Sequence, residues 1–163
     1  MLGSTNGSSA HGFPDSRLGG VSLEARASSE VGRRRLALTV PGRPEAVRIV
    51  RAVMRSWAAS VGYYLEEIEE LCLAIDEAYA GLVASAPTPT RITVRIQLNE
   101  DGVDITAVRD TDAEMWPPVS AQSALIRRVL STLIDEVLFE ETSEGPAIRM
   151  LKRRATAGGK SDR

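Results

Sequence analysis

Apolar residues recur along this chain with two distinct periods. From Leu65 to Ser85, LEEIEELCLAIDEAYAGLVAS, the period is helical: Leu65, Ile68, Leu71, Cys72, Ile75, Tyr79, Leu82 and Val83 form one core-facing stripe. Glu66, Glu67, Glu69 and Glu70 crowd the start, where the helix dipole favours negative charge. A second face carries Leu73, Ala74, Glu77, Ala80, Gly81 and Ala84, small and apolar apart from the one carboxylate. A helix with two apolar faces is covered on both sides or lines a pocket on one. Glu77 is then either a solvated helix carboxylate or the charge on a pocket wall.

Period-two alternation marks the strands. Arg35 to Val40 alternates through Leu36, Leu38 and Val40 and is broken by Pro41-Gly42. Pro44 and Glu45 suit the first turn of a helix running to about Ser60, with Val47, Val50, Met54, Trp57, Ala58 and Val61 as its buried stripe. Arg48, Arg51 and Arg55 lie on a neighbouring face at spacings of three and four, either as a solvated row or as a dock for an acidic protein partner. Gly62 ends this helix, and Ala86-Pro87-Thr88-Pro89 ends the next. Arg91 to Leu98 alternates cleanly, turns at Asn99 to Gly102, and returns as Val103 to Val108, an antiparallel hairpin with one buried face.

Arg109 to Pro118 reads as an irregular acidic loop. Ser120 to Asp135 reads as a third helix on Leu125, Val129, Leu130, Leu133 and Ile134. Val137 to Glu140 and Ala147 to Lys152 close as a second hairpin around Glu144-Gly145-Pro146. Strand, helix, helix, two strands, helix, two strands predicts an α+β sandwich of two layers, a mixed or mostly antiparallel sheet covered on one face by three helices. The domain spans residues 33–154. Residues 1–32, rich in Gly and Ser, and the basic stretch 155–163 read as disordered tails.

Composition narrows the chemistry. At 163 residues the chain fits one domain. One cysteine, Cys72, excludes an intrachain disulfide, and its place on the apolar stripe predicts a small core residue. The one histidine, His11, sits in the N-terminal tail, which removes Ser-His-Asp and Cys-His arrangements and zinc clusters from the body of the domain. No apolar run is long enough to span a bilayer and the N-terminus lacks the features of a secretory signal, so a cytoplasmic protein is expected. A net charge of −2 argues neither for nor against a nucleic-acid surface, but the basic residues are dispersed and no recognition-helix motif appears, so neither a nucleic acid nor a membrane is an expected partner. No glycine-rich phosphate loop of the P-loop or dinucleotide type is present. Asp76 and Glu77 point about 100° apart on a helix and do not form an acid/base couple.

The element order, taken with LCLAIDEAYAGLV, LALTVPGRPEAVRIVRAVMRSWAASVG and ALIRRVLSTLIDEVLFE, resembles the GHKL (Bergerat-type) ATPase fold, and more closely anti-sigma factors of the RsbW and SpoIIAB type. The likeness covers about Arg35 to Arg154. It implies that Glu77 stands at the family's catalytic base position and Asp110 at its adenine-reading position. The family's metal-holding Asn falls on Gly81, which cannot ligate. The D-x-G-x-G box falls on Asp110-Thr111-Asp112-Ala113-Glu114 and the glycine-rich lid on Ala124-Leu125-Ile126-Arg127, all without their glycines. Side chains on Asp112, Glu114 and Ile126 would crowd phosphates, and the two carboxylates would repel them.

The resemblance therefore implies a stress-type regulator that binds an alternative sigma factor and is released by a STAS-type anti-anti-sigma protein. Arg48 falls on the family's partner-contacting position, with Arg51 and Arg55 beside it. A homodimer is implied as well. No cofactor or metal is expected, ATP and Mg²⁺ entering only if the worn pocket still works. Two rival readings stand beside this one: an active Ser/Thr kinase that phosphorylates its antagonist, and a kinase-like regulator of a non-sigma process.

Overall fold

The computed structural model describes residues 34–84, 86, 89–111, 116 and 121–154. Both stretches read as tails lie outside the described residues, as do Asp112 and Glu114. Five strands, β1 (Arg35–Pro41), β2 (Arg91–Leu98), β3 (Gly102–Arg109), β4 (Glu136–Thr142) and β5 (Gly145–Arg153), form one sheet in the order β1-β2-β3-β5-β4. Every pairing is antiparallel, so the sheet contains no parallel component.

Three α-helices cover one face: α1 (Val47–Ser60), entered through a 3₁₀ turn at Pro44–Ala46, α2 (Leu65–Ala84) and α3 (Ala121–Leu133). Helix α2 packs between α1 and α3 and lies over β3 and β5. Its stripe fell largely where the spacing put it: Ile68, Leu71, Cys72, Ile75, Tyr79 and Leu82 are buried, together with Ala74 and Ala78. Leu65 opens the helix exposed. Leu73, Ala80 and Ala84 form its outward line, exposed, with Glu77 half-buried among them. Below them the sheet contributes Leu38, Val40, Ile92, Val94, Ile96, Val103, Ile105, Ala107, Ile148 and Met150 to one continuous core. The alternation of RITVRIQL thus does what period two demands: its apolar set meets the helices, and Arg91 and Arg95 face water.

Two backbone devices tighten the ends of the sheet. The β4–β5 hairpin turns in two residues, Ser143 and Glu144, because Thr142 pairs with Gly145. The Thr142 hydroxyl accepts from the Glu144 N–H at 3.2 Å and donates to the Gly145 carbonyl at 2.8 Å. Tyr79 holds the loop after β1 by donating to the carbonyls of Pro41 (2.7 Å) and Arg43 (3.2 Å). Burial pushes this phenol from 10.0 up to about 12.

A high-pH loss of stability follows. The folded-state pKa lies above the unfolded one, so the stabilisation is complete below pH 10.0 and falls as pH rises toward about 12, where only the unfolded chain has ionised. Tyrosinate absorbance of the folded protein should lag that of the urea-unfolded chain across this window, and thermal stability should fall there. In Tyr79→Phe the fall should be shallower; an equal fall in both proteins would remove Tyr79 as its source.

Candidate nucleotide site and the arginine face

The positions at which the resemblance would seek a nucleotide lie on the C-terminal half of α2, at Glu77 and Gly81, and directly after β3, at Asp110. Glu77 is half-buried, and its carboxylate forms no ion pair with another described residue. One turn further on, Gly81 faces α3 and β5. A Cβ added at Gly81 would lie 3.2 Å from Ile126 Cδ1 and 3.6 Å from Ile148 Cδ1. Glycine inside a helix costs about 1 kcal/mol relative to alanine. Here its bare backbone lets the Ile126 side chain occupy the space a side chain at 81 would otherwise fill.

This contact corrects the reading of α3. The spacing put Leu125 on the buried stripe, but Leu125 is 61% exposed and Ile126 only 5%. The buried line is Ile126, Leu130 and, just past the helix, Ile134, with Val129 and Leu133 half-buried beside it. Two adjacent apolar residues lie about 100° apart, and the sequence does not say which one faces the core. Residues 124–127, the position of the lid, are helical and part of α3.

Asp110 follows β3 directly. Its Oδ1 accepts from the backbone N–H of Arg91 at 2.6 Å and from the Thr90 hydroxyl at 3.1 Å. Its own N–H donates to the Arg91 carbonyl at 3.1 Å. Thr90 is buried, and its carbonyl accepts from Gly42 N–H at 2.8 Å. A Cβ at Gly42 would come 2.3 Å from Thr90 Cγ2, so glycine is needed for that approach. Asp110 therefore clips the start of β2 to the end of β3.

The sequence assigned Arg109 to the acidic loop. It is in fact the last residue of β3 and is 1% exposed. Its Nη1 donates to the Leu82 carbonyl at 3.1 Å, and its guanidinium lies 5.7 Å from the Trp116 ring centroid. Burial lowers its pKa from the ordinary arginine value. Trp116 in turn donates from its indole N–H to the Ala147 carbonyl at 3.2 Å and stands 6.2 Å from the Phe139 ring, which Arg127 covers at 4.1 Å. The signal was present: Val103, Ile105, Ala107 and Arg109 alternate in phase, which puts the arginine on the covered face.

Gly81 offers no ligand to a metal, and the space beside it holds Ile126. Asp110 has an oxygen committed to the protein. Among the described residues, no group of three His, Cys, Asp or Glu side chains could hold a metal ion.

On α1 the three arginines divide. Arg51 is bonded to Asp76 of α2, with contacts of 2.5 and 3.1 Å. Arg55 is bonded to Glu69 of α2 at 2.7 and 3.1 Å, and that partner raises its pKa. Both fasten α1 to α2 and line an open groove of ≈ 390 Å³ with Leu73 and Leu133. Arg48 is different. Its Nε donates to the Glu45 carbonyl at 2.9 Å, and its guanidinium has no carboxylate partner among the described residues. Beside it, Ile49 is 38% exposed.

A family model described as Histidine kinase-like ATPase domain matches residues 40–152. Two curated relatives are named serine-protein kinase RsbW. The one from Bacillus subtilis is 28% identical over 135 residues, and the one from Bacillus pumilus 26% over 137. Each alignment covers 72% of this chain and 84% of the relative. Among solved structures, the RsbU and RsbW domains of a Mycobacterium tuberculosis protein superpose with a TM-score of 0.59 at 22% identity. That match covers 73% of this chain and 32% of the larger one, and shows the fold. No described helix is long and apolar enough to cross a membrane.

Proposed function

Because the chain belongs to the histidine kinase-like ATPase domain family, with an RsbW-type fold, we propose that it is an anti-sigma factor acting by direct contact. It sequesters an alternative sigma factor in the cytoplasm, as a homodimer, and a STAS-type anti-anti-sigma protein releases the sigma factor by competing for the same surface. The observation that carries this reading is Arg48. Its guanidinium is exposed on α1 and free of described carboxylates, while Arg51 and Arg55 are held by α2. An exposed guanidinium beside the partly exposed Ile49 suits an acidic surface with an apolar centre.

The regulator works without phosphate transfer. Glu77 keeps the family's base position, but Gly81 supplies no metal ligand, and the charge neutralisation that phosphoryl transfer depends on is missing. The name of the relatives, serine-protein kinase, favours a second reading in which Glu77 and Asp110 still serve an active kinase.

Affinity capture of the tagged protein from its host, with and without Mg-ATP, tests both. Equal retention of a sigma factor in the two conditions is expected. ATP-dependent retention, together with label passing from ATP to the antagonist and lost in Glu77→Ala, would establish the kinase. Capture of another regulator and no sigma factor would overturn the proposed partner.

A further inference from the structure

The poor fit of the α2–α3 site to a nucleotide has a positive counterpart. Gly81 removes a side chain from α2 at the point where Ile126 descends from α3, and Ile148 of β5 closes the same space from below. Ile126 and Leu130, one turn apart, are both buried, and Ile134 continues the line past the helix end. The line is apolar and continuous with the main core, so moving α3 away would expose it to water.

We infer that Ile126 is a built-in plug: it, and not a bound nucleotide, fastens α3 to α2 and the sheet. The free chain therefore holds its closed arrangement by itself, and adenine nucleotides do not change it. This deepens the proposed function and rests on the part of it that denies phosphate transfer. Its test is made on the free chain, apart from any partner or kinase assay. A missing sigma factor leaves the plug standing, and a plug that fails leaves the sigma interaction to be judged by capture.

The experiment is thermal unfolding of the full chain and of three variants: Ile126→Ala, Gly81→Ala and the double substitution. Each is measured alone and with millimolar Mg-ATP or Mg-ADP. The parent Tm should be flat with either nucleotide. A ligand present at a hundred times its Kd would raise Tm by on the order of 10 °C. Ile126→Ala should lower Tm by roughly 10 °C, the effect of emptying a packed isoleucine site.

The decisive arm is the coupling. A Cβ at 81 crowds Ile126 in the parent but enters vacated space in the Ile126→Ala background. Gly81→Ala should therefore raise Tm more in that background than in the parent. A Tm increase of the parent with Mg-ATP or Mg-ADP would overturn the plug. So would an unchanged Tm in Ile126→Ala, or the same effect of Gly81→Ala in both backgrounds.

Discussion

Gly145→Ala should cost about 3 kcal/mol of stability or more, a large share of an ordinary total and a fall in Tm on the order of 10 °C. Two independent reasons add. Gly145 has φ +121, a backbone region that a Cβ makes expensive. The added Cβ would also lie 2.1 Å from the Arg109 carbonyl oxygen and 3.2 Å from that of Thr111. These neighbours are backbone atoms. Arg109 is held in register opposite Ile92, and its side chain is anchored under α2, so the carbonyl cannot step aside cheaply. Gly62 is the control. Its φ is +85, but nothing lies within 4 Å of an added Cβ, so Gly62→Ala should cost only the left-handed penalty, about 1 kcal/mol. Urea unfolding followed by circular dichroism measures both. Equal losses for the two variants would mean that the close approach at Gly145 contributes nothing.

Arg48→Glu should weaken the proposed sigma-factor binding about a hundredfold while leaving the thermal stability of the free protein nearly unchanged. The side chain is exposed, and its hydrogen bond to the Glu45 carbonyl is a local surface contact whose loss costs little. Reversing its charge turns attraction for an acidic partner surface into repulsion, with an effect that shrinks as salt is raised. Arg51→Glu and Arg55→Glu behave differently. They place a carboxylate against Asp76 or Glu69, so they should disturb the α1–α2 contact before they disturb any partner. Paired measurements of Kd and Tm separate the cases. Arg48→Glu should move Kd alone, and Arg51→Glu should lower Tm. An unchanged Kd for Arg48→Glu would remove α1 as the docking face.

The elements were legible because their patterns are strong. RITVRIQL can bury one face only as a strand, and the α2 stripe can converge only as a helix. Pro41-Gly42 and Gly62 mark ends where the chain does turn. Adjacent hydrophobes were less legible. Leu125 and Ile126 are both apolar, and it is Ile126, in phase with Leu130 and Ile134, that packs against the bare backbone of Gly81. Charge was the least legible. Arg48, Arg51 and Arg55 are alike in sequence, and their division depends on which acidic residues α2 brings alongside, a tertiary fact. Arg109 was missed for a different reason. Its polarity suggested a loop, whereas its phase in β3 pointed to the core, and phase decided. The hydrogen bonds of Asp110 to Thr90 and Arg91 depend on a register that no local pattern announces.

The meeting of Gly81 with Ile126 also bears on how this chain can change over generations. A larger side chain at 81 would run into Ile126, and a smaller residue at 126 would first leave a hole beneath α3. Each single step lowers stability before the other can repay it, so the two positions form an epistatic pair. With glycine and isoleucine facing each other, stable substitution at either position is confined to residues that keep the joint filled.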